Sequence, residues 1–317
     1  MTYQPKPSSQ SPIMQQPFNV TSSARTIGTA ALTTILLAAL GACGGNGGDS
    51  ATATVSSMSI AATKYGTPAQ VTLVGTNLSN LNLQATGCKN ITRLTASPTA
   101  STDTTAYFSC TPSGAYSSQI LAVSNGGTVA QQTLTVLPPI VTMAVSGGGV
   151  NGNIVFSLRG NQAPTTVDNF LAYVNSDFYT GLIFHRVVPN FVVQGGGYGA
   201  ATSGTLPTPK ATTYDPIALE LTGGNNVQWT AAMARTSDDN SATSQFFFNL
   251  VDNSATLDKN STTDGYAVFA DVSSSSAVIQ AIAAAPCTLV LSNGTPLGDG
   301  SCVPIPNVVI TSATQTQ

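Results

Sequence analysis

Charge is scarce in this chain: Asp, Glu, Lys and Arg make up 7% of its 317 residues and leave a formal net charge of −3. Ten scattered Lys and Arg residues build no basic stripe, so nucleic acid is excluded as a partner. Histidine is almost missing. His185 is the single one, so any Ser–His or Cys–His relay would have to use it, and no His/Cys set for zinc can be drawn. The apolar segment 27–40 falls short of the roughly 20 residues that a membrane-spanning helix needs. What is present is 42% hydrophobic residues, with abundant Ser, Thr, Gly and Ala. That is enough for a sizeable core, the length suggests two domains plus tails, and the mixture suits a β-rich exported protein.

The most informative stretch is FHRVVPNFVVQGGG at 184–197. Val187, Val188, Val192 and Val193 are strand formers, and Pro189 and Asn190 interrupt them, so two short strands joined by a turn are predicted. Alternation then puts Val192 and Gln194 on one face and Phe191 and Val193 on the other, unless a bulge re-aims one of them. A second stretch, 230–249, reads as a strand (231–235), a polar loop (236–244) and an aromatic strand (245–249). A third, DGYAVF at 264–269, reads as a turn and a strand.

In this order, FHRVVPNFVVQGGG, MARTSDDNSATSQFF (233–247) and DGYAVF resemble the cyclophilin family of peptidyl-prolyl cis-trans isomerases, most of all its bacterial periplasmic members. The resemblance covers residues 140–314. It implies a mostly β fold, an eight-stranded antiparallel barrel capped by two helices. The residues alone support a hairpin around Gly147, Gly148 and Gly149. They also support an amphipathic helix opened by Pro164, with Val167, Phe170, Leu171 and Val174 at helical spacing; the resemblance places the second helix near 276–284.

Rotation about an Xaa-Pro bond needs no nucleophile, only relief of the amide resonance that sets a barrier of about 18–20 kcal/mol. It calls for an apolar recess for the pyrrolidine ring. It also calls for a donor to the prolyl nitrogen, whose lone pair localises in the twisted state. Arg186, always charged and carrying a rigid fork of donors, suits the second task. Carried over from the family, Arg186 is the principal catalytic group and Gln194 orients it or the substrate backbone. Phe191, Val192, Phe247 and Leu257 line the proline pocket. Ala234, Arg235 and Gln245 contact the peptide on the N-terminal side of the proline, and Tyr266 stands where bacterial members commonly carry Tyr. His185 is implied to be structural, and no cofactor or metal is implied. Proline-containing polypeptides are the implied substrates; nothing in the sequence sets an oligomeric state.

Several residues depart from the family pattern. Val192 stands where many relatives have Met. Thr256 falls where relatives place Trp or Phe, which implies a looser pocket and weaker cyclosporin binding. Trp229 occupies the place of a small residue. Ala270 replaces a glycine, so a strained or reshaped turn is expected there.

Ahead of this region, residues 1–42 have a polar start, an apolar run and small residues before Cys43. This resembles a bacterial lipoprotein signal peptide, with Cys43 as the lipidated residue. A flexible Gly-rich tether, 43–53, follows. The expected location is the bacterial cell envelope, outer membrane facing the periplasm, with lipid as the only membrane attachment. If Cys43 carries lipid, Cys88, Cys110, Cys287 and Cys302 remain and allow three pairings. The local one, Cys88 with Cys110 and Cys287 with Cys302, keeps each bridge inside one domain and is the expectation.

Residues 54–138 alternate short β-prone runs with turns: 55–60, 69–75, 105–110, 119–123 and 133–136. They read as a small immunoglobulin-like β-sandwich without a chemical constellation, and Leu137, Pro138 and Pro139 form a stiff exit from it. A spacer is the plain reading of that module. The sequence therefore points to a prolyl isomerase assisting the folding of exported proteins. Two alternatives stay open: a non-catalytic peptide-binding chaperone, and an adhesion or scaffold module using the N-terminal sandwich.

Overall fold

The computed structural model describes residues 51–96, 98–200, 207–288 and 300–317. The expected leader 1–42, Cys43 and the tether as far as residue 50 lie outside the described residues. Among the described residues, seven strands come first: β1 (Thr54–Ile60), β2 (Ala69–Thr76), β3 (Asn82–Gln84), β4 (Cys88–Arg93), β5 (Thr105–Pro112), β6 (Ser117–Ser124) and β7 (Gly127–Thr135). They form a four-stranded sheet in the order β1-β2-β5-β4 and a three-stranded one in the order β3-β6-β7. Val71 and Leu73 on β2 alternate with more exposed neighbours, as do Ala106 and Phe108 on β5. They share an apolar cluster with Leu83, Ile120, Ala122 and Leu134 of the other sheet.

The second part is a closed, antiparallel barrel. Its elements are β8 (Ile140–Gly147), β9 (Val150–Leu158), α1 (Pro164–Asn175), β10 (Leu182–Val188), β11 (Val192–Gly199), β12 (Thr230–Met233), β13 (Phe246–Asn249), α2 (Ser254–Leu257), β14 (Val268–Asp271), α3 (Ser276–Ala283), β15 (Cys287–Thr288), β16 (Val303–Pro304) and β17 (Val309–Gln315). Around the barrel the order is β10-β11-β13-β12-β14-β9-β8-β17, and Ile183 pairing with Val309 closes the ring. Gly148 and Gly149, with φ of 61° and 82°, turn β8 into β9; positive φ at both central residues is the signature of a type I′ hairpin. Phe156 sits inside among Phe170, Phe246 and Phe248, with ring centroids 5.1, 5.6 and 5.5 Å away.

Helix α1 has Ala163 before it and no side-chain cap of its own. The carboxylate of Glu220, from a loop 54 residues downstream, accepts from the Thr166 amide at 2.9 Å and its hydroxyl at 2.8 Å. An anion on these open donors is favoured by the helix dipole.

Both disulfides are local: Cys88–Cys110 closes 22 residues and Cys287–Cys302 closes 15. On the loop-entropy account each contributes about 3 kcal/mol.

The two parts are not held apart. The described residues from 51 onward form one compact unit, and a single apolar cluster runs from Tyr65 and Leu73 to Val141 and Phe156. Tyr65 is fully buried; its hydroxyl donates to the Gly160 carbonyl at 2.8 Å and accepts from the Gly114 amide at 2.9 Å. Burial pushes its pKa up to about 12. Beside it, Asp168 of α1 receives Lys89 at 2.6 Å and the Ser113 hydroxyl at 2.7 Å.

Candidate active site

Four strands carry the site, and their register places it. Arg186 pairs with Gln194, Gln194 with Phe247, and Phe247 with Ala232, so one row of residues crosses β10, β11, β13 and β12. Alternation assigns each strand two faces. Phe246 and Phe248 enter the barrel core while Phe247 joins a separate apolar cluster with Val192, Ala232, Leu257 and Val268.

Strand β10 departs from this rule. Phe184 pairs with Gly195 and Arg186 with Gln194, so two steps on β10 face one on β11. His185 is the extra residue of a β-bulge. In an unbroken strand Arg186 would share the inward face of Phe184, which is fully buried. The bulge turns it outward.

The expected face for Phe191 is corrected. It precedes β11 in a tight turn where its amide meets the Val188 carbonyl at 3.1 Å and Asn190 has φ of 57°. Pro at the second turn position and a left-handed Asn at the third suit a type II turn. The turn brings Phe191 round to pack with Val192 instead of opposing it.

A cavity of about 260 Å³ is lined by Arg186, Phe191, Val192, Gln194, Ala234, Arg235, Phe247, Leu257 and Tyr266. Gln245 is not on that wall: its Oε1 accepts from Gln194 Nε2 at 3.1 Å. Gln194 in turn presents its own Oε1 to Nη1 of Arg186 at 3.5 Å. His185 packs against Tyr198 with centroids 4.4 Å apart and has its pKa lowered to about 4, first by burial. It is neutral at pH 7 and placed behind the cavity wall.

The departures resolve individually. Thr256 is exposed on α2 and contributes nothing to the cavity wall. Ala270 lies in β14 paired with Leu158 and Ala231, so the turn expected there is instead strand, with a register shift against β12 at the neighbouring Phe269. Trp229 has φ of 63°, a left-handed conformation that costs a bulky residue roughly 1–2 kcal/mol. One supporting residue went unread in the sequence. Buried Asn226 donates to the carbonyls of Leu257 and Tyr266, both at 3.3 Å, and to Asp258 at 2.8 Å, fixing two wall residues from behind. A lone Asn in a polar loop gives no sequence signal of this task.

Comparison with known proteins now decides the family. The family model described as "Cyclophilin type peptidyl-prolyl cis-trans isomerase/CLD" matches residues 140–315. The chain belongs to this family. It is 43% identical over 166 residues to the peptidyl-prolyl cis-trans isomerase cyp18 of Streptomyces antibioticus, covering 51% of this chain and 92% of that protein. It is 47% identical over 136 residues to a peptidyl-prolyl cis-trans isomerase of Acinetobacter baylyi, covering 43% and 69%. A third relative, peptidyl-prolyl cis-trans isomerase A of Dickeya dadantii, is 48% identical over 122 residues, covering 38% and 60%. The cyclophilin segment is thus the barrel, and the sandwich before it lies outside the family match.

Proposed function

We propose that this cyclophilin accelerates cis-trans isomerisation of Xaa-Pro bonds through Arg186, acting on exported polypeptides at a bacterial cell envelope. The observation that carries the reading is the row Arg186–Gln194–Phe247: a cation, an orienting amide and an apolar floor in register around one cavity. The pyrrolidine ring rests on Phe191, Val192, Phe247 and Leu257. As the prolyl amide twists, resonance is lost and the nitrogen lone pair becomes an acceptor. A guanidinium N–H of Arg186 stabilises that state more than either planar isomer, which is what lowers the barrier. Gln194, held by Gln245, keeps the guanidinium aimed at the cavity before substrate arrives.

The envelope location is supported by the sequence of residues 1–43 and by the two disulfides, which persist in oxidising compartments. Cys43 is the proposed site of lipid attachment. The test is exchange NMR on a short Xaa-Pro peptide with the protein and its Arg186→Ala variant. Acceleration that falls about 10²–10³-fold in the variant, with unchanged thermal stability, is the expected result. A fully active variant would remove Arg186 from the mechanism.

A further inference from the structure

Arg235 was expected to contact the peptide on the N-terminal side of the proline; it lines the cavity, while its donors are turned into the protein. A guanidinium has five N–H groups. Nε donates to the Gly265 carbonyl at 3.0 Å and Nη1 to the Thr236 carbonyl at 3.0 Å, while Nη2 reaches the Thr263 hydroxyl at 3.5 Å. Nη1 also pairs with Asp239 at 3.1 Å, and the Arg235 side chain is only 7% exposed. Its flat face lies over the Tyr266 ring, Cζ 4.8 Å from the centroid. Tyr266 in turn stands edge-on to Phe247, 5.6 Å between centroids, and both line the proline cavity.

These contacts join three pieces of chain: the end of β12, the polar loop 236–241 and the turn 263–266. Tyr266 is the aromatic that this wall presents to the cavity, beside Phe247. Asn226 anchors its backbone from inside; Arg235 clamps its ring from outside.

We infer that Arg235 is a positioning residue: it acts through Tyr266, locking that ring upright against Phe247 so that the outer wall of the proline cavity is formed before the peptide binds. This inference rests on the isomerase reading of the same cavity. Because it concerns ground-state shape, its signature is a change in peptide affinity rather than in the rate of the bound step. A fork of donors with a planar face is needed, so Lys cannot substitute fully.

The experiment is a double-mutant cycle of Arg235→Ala, Tyr266→Ala and the pair, with Arg235→Lys alongside. NMR lineshape analysis of an Ala-Pro peptide would separate its Kd from the on-enzyme isomerisation rate. Arg235→Ala should weaken binding about tenfold while the bound-state rate changes less than about threefold. The double variant should bind no worse than Tyr266→Ala alone, and Arg235→Lys should recover only part of the loss. Additive losses, or a loss confined to the bound-state rate, would overturn the inference. So would full affinity in Arg235→Ala. Aromatic-ring NMR supplies a readout independent of turnover: Tyr266 flips should be faster in Arg235→Ala, and unchanged flipping sinks the clamp. If the wild type binds peptide without accelerating exchange, the isomerase reading fails, while the affinity cycle and ring dynamics still decide the role of Arg235.

Discussion

Arg186 faces the proline cavity because His185 is an extra residue in its strand. The register places Phe184 opposite Gly195 and Arg186 opposite Gln194, with His185 bulged between them. Deleting His185 should restore regular pairing, turn position 186 toward the core and lower activity by about 10²-fold or more, the scale of a lost preorganised donor. His185→Ala keeps the residue count, and its activity should stay within about tenfold of wild type. Peptide exchange NMR, with near-UV circular dichroism to show that both variants are folded, checks the contrast. An active, folded deletion variant would show that the bulge does not aim Arg186.

The same residue makes stability depend on acid. Burial lowers His185 to about 4 in the folded chain, against a reference of 6.5. Between these values the unfolded chain binds a proton that the folded one refuses, so the contribution is complete above pH 6.5 and is lost as pH falls toward 4. Its size is on the order of 3 kcal/mol. Urea unfolding at pH 7 and pH 4.5 should show this drop in wild type and a smaller one in His185→Gln. As His185 is the only histidine, equal slopes would assign the acid sensitivity to carboxylates.

Thr256 lies one residue before Leu257, which does line the cavity. Thr256→Trp should extend the apolar wall and tighten binding of an Xaa-Pro peptide about three- to tenfold, the scale of an added aromatic contact. Cyclosporin should respond in the same direction. Titration calorimetry measures both; unchanged affinities would mean that α2 holds position 256 too far from the cavity.

Tyr65 joins the sandwich to the barrel with a hydroxyl that both donates and accepts. Tyr65→Phe leaves the Gly160 carbonyl and the Gly114 amide without this partner and should cost about 1–3 kcal/mol. Scanning calorimetry should give one transition for the wild-type chain and a lower Tm in the variant. Two well-separated transitions in wild type would contradict a shared core.

Much of this architecture is legible in the sequence. The helix opened by Pro164, the glycine hairpin and the aromatic strand around Phe247 all follow from periodicity and turn chemistry. The short strands at Asn82–Gln84 and Cys88–Arg93 escaped because their residues are mostly polar and show no alternation to distinguish them from loop. The face of Phe191 was misread for a different reason: period-two reasoning carries a strand through a turn that in fact re-aims the chain. Motif resemblance singled out Arg235, which lines the cavity, and Gln245, which stands behind Gln194. What those side chains hold depends on partners far along the sequence, Gly265 for one and Gln194 for the other.

The seam between β8 and β17 has a consequence in time. Thr142 and Thr316 approach to 3.4 Å across that seam although 174 residues separate them. While the chain is being made, β8 can pair with β9 on one side, but its other edge waits for a strand that comes much later. An unpaired edge is a template for pairing with other chains, and such distant contacts form slowly. Until β17 arrives there is no closed ring and no fixed register through β10, and the row that begins at Arg186 has no frame to hold it. The prolyl isomerase would then pass through a vulnerable interval of its own, ended only when β17 is in place.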